Sequence, residues 1–238
     1  MESSTRQQGV GVNQLAGTGL HIGADGLARP RWADSDELLR SYYDTEWGMP
    51  VTDEQGIYER ICLESFQSGL SWLTILRRRE SFREAFAGFD PNVVASFNDD
   101  DVARLLADSR IIRNRRKIMA AIINARATVA LREGAGLERA SGGSEERPTG
   151  AAADSNEQPT GLVELVWSFK PEENLRPLSE AEVPSQTPES VALAKTLRAA
   201  GFTMVGPVTM FALMEAIGVV DAHIVGSHRR GTSGVWPE

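Results

Sequence analysis

Apolar residues in this chain return every third and fourth position, and no segment alternates apolar with polar as a half-buried strand does. Ile57, Ile61, Glu64 and Ser68 share one face of a helix expected over about 54–68. Ile118, Ile122, Ala125 and Val129 form the stripe of another. Start and stop signals bracket such stretches. Asn98 to Asp101 cap a helix running to about Ala107, and Asp90-Pro91 opens a short one. Thr187-Pro188-Glu189 opens a helix that Gly201 ends, and Gly206-Pro207 opens one that Gly218 ends. A further helix is expected from about Ser71 to Phe86. Val93-Val94 and Val219-Val220 are too brief to support a sheet, so the expected class is all-α.

A chain of 238 residues that is 41% hydrophobic suffices for one domain with a sizeable core. Residues 1–29 are polar and Gly-rich and read as a flexible tail; residues 30–238 read as a single helical domain. A low-complexity stretch at about 134–161 reads as a disordered insertion within it. The lone Cys62 excludes an internal disulfide and any multi-cysteine metal site. The N-terminus has no apolar segment of signal-peptide type, and no apolar run approaches the roughly 20 residues that span a bilayer. The best such run, Met210–Val220, carries Glu215. The expectation is a soluble, cytoplasmic protein with no membrane partner.

Charge gives two opposed signals. The net charge of −8 speaks against nucleic acid, whereas the local pattern speaks for it. Arg77-Arg78-Arg79 form one basic cluster, and Arg110, Arg113, Arg115, Arg116 and Lys117 form another, while much of the acid lies elsewhere. The second cluster sits where two helices meet in a tight connection with Ile111-Ile112 at its apex, the later helix starting near Asn114. A helix N-terminus offers free N–H groups that suit a phosphate, and surrounding cations add affinity that is blind to sequence. The residues alone leave open a helix-hairpin-helix for DNA and an ordinary helical hairpin with a solvated basic face.

Six of the eight tryptophans and tyrosines fall between residues 32 and 72: Trp32, Tyr42, Tyr43, Trp47, Tyr58 and Trp72. Glu64 sits among them and points inward with two isoleucines. A carboxyl so placed must be hydrogen-bonded, paired with a nearby Arg, or kept for a ligand. Aromatic walls with one buried acceptor would suit a flat, electron-poor ligand bearing N–H groups or positive charge. A plain aromatic core is the alternative.

Six pieces occur in order: YYDTEWG (Tyr42–Gly48), ICLESFQSGLSW (Ile61–Trp72), IIRNRRKI (Ile111–Ile118), VWSF (Val166–Phe169), GFTMVGP (Gly201–Pro207) and DAHIVG (Asp221–Gly226). Together they resemble the DNA-3-methyladenine glycosylase I family of the helix-hairpin-helix superfamily, from about Arg29 to about His228 apart from the insertion. The resemblance implies an all-α glycosylase fold and a monofunctional enzyme, acting as a monomer on alkylated double-stranded DNA. It implies that Glu64 recognises an extruded 3-methyladenine with Tyr42 beside it. Trp32, Trp47 and Trp72 would line the pocket with Gln67, and Arg113, Arg115, Arg116 and Lys117 would contact DNA. A nucleophilic lysine paired with a later Asp is not expected, since no Asp lies between Asp108 and Asp154.

The chain departs from the family at its zinc site. The positions that match two Cys and two His hold Pro30, Tyr43, His223 and Ser227, so no metal and no other cofactor is expected. Tyr43 is expected to stack near His223 and Pro30 with its hydroxyl bonded to Ser227 or backbone. The hairpin's usual glycines are replaced by Arg110 and Arg116. Two other functions remain compatible: a glycosylase for a different alkyl adduct, and a DNA-binding module that has lost catalysis.

Overall fold

The computed structural model describes residues 17–134 and 161–236. A β-hairpin, β1 (Leu20–Ile22) and β2 (Ala28–Pro30), precedes α1 (Glu37–Thr45), α2 (Glu54–Gln67), α3 (Trp72–Leu76), α4 (Arg79–Ala85) and α5 (Pro91–Ala95). Then come α6 (Asp99–Ala107), α7 (Arg115–Arg132), α8 (Leu162–Trp167), α9 (Pro188–Ala199) and α10 (Pro207–Ala216). The protein is all-α apart from that hairpin.

Side-chain caps set most helix starts. Asp36, Asp53, Ser71, Asp90, Asn98, Asn114 and Thr187 each accept a bond from a backbone N–H in the first turn they open. Asn98 with Asp101, and Thr187 with Ser190, complete capping boxes. The helix expected over 71–86 is instead two, α3 and α4. The chain steps at Arg77 and Arg78, where Arg78 donates to the carbonyls of Ser109 and Arg110.

Helix α2 is the centre of the molecule. It packs against α7, α8 and α10, and Ile57, Tyr58, Ile61, Cys62, Leu63 and Phe66 are buried around its circumference. Ser68, expected on its inner stripe, lies exposed just past the helix as its C-cap. Two glycines let the end of α10 approach the α1–α2 connection. Gly48 has φ +79 and a Cβ there would meet His223 at 2.5 Å; Gly218 has φ +77 and a Cβ would meet the Gly48 carbonyl at 2.8 Å. The expected tail is corrected over 17–29, which forms the hairpin; residues 1–16 lie outside the described residues, as does almost all of the expected insertion.

Strands of three residues carry little stability of their own, so side-chain anchors hold this hairpin. Arg29 is 2% exposed and lies between two carboxylates, Asp44 (2.8 and 2.7 Å) and Asp25 (3.0 and 2.7 Å). Those hydrogen bonds hold the guanidinium charged despite its burial. The His228 ring lies between the Ala28 carbonyl at 2.9 Å and the Asp44 carboxylate at 3.1 Å. The hairpin thus joins the two ends of the domain.

Candidate active site

A cavity of about 370 Å³ opens between α1, α2, α3, α10 and the segment after α10. Trp32, Tyr42, Trp47, Glu64, Gln67 and Trp72, all singled out from the sequence, line it together. Tyr42 and Trp72 make one wall, their rings 5.4 Å apart and tilted. The other wall is built on Tyr43, which stacks on Trp47 at 5.5 Å and meets Trp32 edge-on at 5.5 Å. Trp32 remains 38% exposed, at the rim.

Glu64 reaches this cavity from the middle of α2 and is 6% exposed. Its carboxyl has no hydrogen-bond or salt-bridge partner among the described residues. Arg60, one turn earlier, donates instead to Glu46 at 3.0 Å. Burial therefore pushes the Glu64 carboxyl up to about 8, and the Arg60 charge offsets only part of that effect. Tyr42, 3% exposed, keeps its phenolic proton because burial raises it well beyond the ordinary range. The Glu64 carboxyl and the Tyr42 hydroxyl thus line the cavity, neither engaged elsewhere among the described residues.

Sequence reasoning missed a second carboxyl. Glu215 of α10 lines the same cavity, is partly exposed to it, and has no side-chain partner among the described residues. Burial raises it to about 8, and the nearby Glu64 adds to the rise. Its one sequence signal is that it interrupts the apolar run Met210–Val220. Pro30, Glu180, Val183, Ala212, Ala222, His223 and Ile224 complete the lining.

The residues at the zinc positions do not fit the metal. Tyr43 is 1% exposed, its hydroxyl lies 2.6 Å from Ser227 Oγ, and its ring lies 5.4 Å from that of His223. His223 Nδ1 is 2.6 Å from Asp221 Oδ1, and its Nε2 is buried without a partner beneath Trp47, whose ring is 4.6 Å away. Pro30 has no donor to offer, so one imidazole nitrogen is left where four ligands are needed. Among the described residues no three His, Cys, Asp or Glu side chains gather as a metal site.

The basic connection between α6 and α7 needs one correction. Lys117 is 8% exposed, and its Nζ donates to the carbonyls of Phe66 at 2.8 Å and Ser68 at 2.6 Å. It satisfies C-terminal carbonyls of α2 and is turned into the protein, unlike the arginines beside it. Its place on α7 explains this, since Ala120, Ala121 and Asn124 follow on the same buried face. Arg113, Arg115 and Arg116 are exposed and have no partner among the described residues. Asn114 caps the first turn of α7 at Lys117 N, whereas α10 starts at Gly206 with no side-chain cap among the described residues, which leaves the N–H groups after Pro207 without one. Arg110 is tied to Asp108 and Glu84.

The model of the methyladenine glycosylase family matches residues 32–140 and 148–230, so the gap inside the matched span is only 141–147. The chain is 38% identical over 205 residues to DNA-3-methyladenine glycosylase 1 of Escherichia coli (strain K12), covering 84% of this chain and 95% of that protein. It is 36% identical over 196 residues to DNA-3-methyladenine glycosylase of Haemophilus influenzae, covering 81% and 92%. A crystal structure of 3-methyladenine DNA glycosylase I superposes with a TM-score of 0.71 at 37% identity, covering 83% of this chain and 97% of that one. The Staphylococcus aureus enzyme, whose structure addresses 3-methyladenine recognition, superposes with a TM-score of 0.68 at 28% identity, covering 81% and 91%. The chain belongs to the methyladenine glycosylase family.

Proposed function

We propose that this protein is a monofunctional DNA glycosylase that hydrolyses the N-glycosidic bond of 3-methyladenine in alkylated DNA, in the repair of alkylated bases. The observation that carries the reading is the Glu64 carboxyl, without a partner among the described residues, in an aromatic-walled cavity of about 370 Å³. The relatives named for 3-methyladenine support it.

The damaged nucleotide must leave the duplex to reach such a cavity, which costs least for a weakly paired, damaged base. Its ring, cationic from methylation, stacks on Tyr42 and Trp72, and its amino edge donates to Glu64. Binding a cation draws Glu64 into its ionised form, which buried walls otherwise disfavour. The positive base is already a good leaving group. The bond from C1′ to the base nitrogen breaks with its electron pair going to the base, which leaves as neutral 3-methyladenine. Water adds its oxygen to C1′ and loses a proton to solvent, and an abasic site remains. Lys117, bound to two carbonyls, is in no position to form a covalent adduct.

Arg113, Arg115 and Arg116 neutralise backbone phosphates in this reading, and the uncapped start of α10 offers N–H groups to another. Arg115→Ala or Arg116→Ala should each weaken binding to all sequences alike and reduce the salt slope of log K by about 1. Lys117→Met should leave that slope unchanged and lower the melting temperature instead. An unchanged slope in all the arginine variants would remove this face from the DNA interface. A single chain acts alone, close to the chromosome; no described helix is long and apolar enough to cross a membrane.

The test is chromatography of bases released from methylated genomic DNA. Release of 3-methyladenine with little 7-methylguanine is expected, since a carboxylate accepts from an amino group and repels a guanine O6. Comparable release of 7-methylguanine would overturn the specificity, and release of neither base would overturn the enzyme reading.

A further inference from the structure

The cavity is lined by three acids, Glu64, Glu180 and Glu215, and by no Lys or Arg among the described residues. Its one histidine, His223, is held neutral by burial, with Asp221 on its Nδ1 side opposing that effect. Arg60 lies behind Tyr42, 5.9 Å from the centre of its ring, and is committed to Glu46. The electrostatic complement of such a cavity is a cation.

We propose that Glu215 is a second recognition carboxyl, acting with Glu64 to make this cavity prefer a purine that carries positive charge over its neutral parent. The inference rests on reading the cavity as the base pocket, and assigns a role to a residue that base recognition through Glu64 alone leaves idle. Glu215 stands on α10, which packs directly against α2. A residue needed only to fill this wall would be apolar like its neighbours Leu213, Met214 and Ala216, all buried. Instead an acid is kept in the wall with no partner among the described residues, an arrangement that costs stability in the empty protein. Two carboxyls in one low-dielectric space oppose each other's ionisation; burial raises both, and the Glu64 charge raises Glu215 further. A flat cation between them removes that opposition, whereas a neutral purine of the same shape does not. Discrimination then resides in charge, with shape supplied by the aromatic walls.

The experiment titrates the full chain with two probes of matched shape, the 3,9-dimethyladeninium cation and neutral 9-methyladenine, read by tryptophan fluorescence. The parent should prefer the cation by about tenfold or more, as charge-assisted contacts are the stronger ones. Glu215→Gln and Glu215→Leu should each cut that preference by about tenfold and change 9-methyladenine affinity by less than about twofold. Both variants are followed by thermal melting, and if one fails to fold the other decides. An unchanged preference in a folded variant overturns the proposal, as does a parent that does not distinguish the probes. Release of 3-methyladenine from methylated DNA by the parent separates the two levels. If release persists while the preference is unaffected by Glu215, only the role of Glu215 falls. If release is absent, the reading of the cavity falls with it.

Discussion

Glu64→Gln is expected to make the protein more stable at pH 8 while weakening its grip on the 3,9-dimethyladeninium cation by about 10- to 100-fold. Both effects come from one cause. The folded-state carboxyl titrates near 8, above its ordinary value of 4.5, because it is buried. Below about 4.5 the carboxyl is protonated in both folded and unfolded chains and the substitution is close to neutral. As pH rises from there the unfolded chain ionises while the folded one resists, so stability is lost progressively until about 8 and then levels off. A neutral amide escapes that cost. The gain at pH 8 should be on the order of a few kcal/mol, read as a rise in melting temperature that disappears near pH 4. Binding moves the other way, because an amide cannot become the anion that a cationic base calls for. A variant that is no more stable at pH 8 would mean that Glu64 has a partner in solution.

Tyr43→Ala is expected to cost about 3–5 kcal/mol, and Tyr43→Phe only about 1 kcal/mol. The ring is 1% exposed and touches Trp32, Trp47, His223 and His228, so truncation opens a hole where the two ends of the domain meet. Phenylalanine keeps that packing and loses the bond to Ser227. Urea titration separates the two cases. Dialysis against a chelator should leave the parent's transition unchanged, since apolar burial takes the place of the family's metal. Stoichiometric zinc by elemental analysis would contradict this, and a Tyr43→Ala variant as stable as the parent would reject the ring as the substitute.

What could be read in advance follows from how local each feature is. The helix starts were legible because Asn98, Asn114 and Thr187 cap turns that begin at the next residue. The aromatic walls were legible because they lie within one stretch of chain around Glu64. The N-terminal hairpin was not, because strands as short as Leu20–Ile22 show no alternation and their anchors, Asp44 and His228, are remote in sequence. Glu215 was not, because only the packing of α10 on α2 brings it beside Glu64. Lys117 was misread for a different reason. Its neighbours Arg113, Arg115 and Arg116 are exposed, but the helical phase turns the fourth cation onto the buried face of α7, where the end of α2 supplies carbonyls.

The central claim is that the cavity around Glu64 receives the alkylated base, and a crystal structure with 3-methyladenine bound tests it most directly. The account predicts the purine ring against Tyr42 and Trp72, with its exocyclic amino group within hydrogen-bond distance of Glu64. A ring bound elsewhere on the protein, or one in this cavity with its amino group turned away from Glu64, would contradict it.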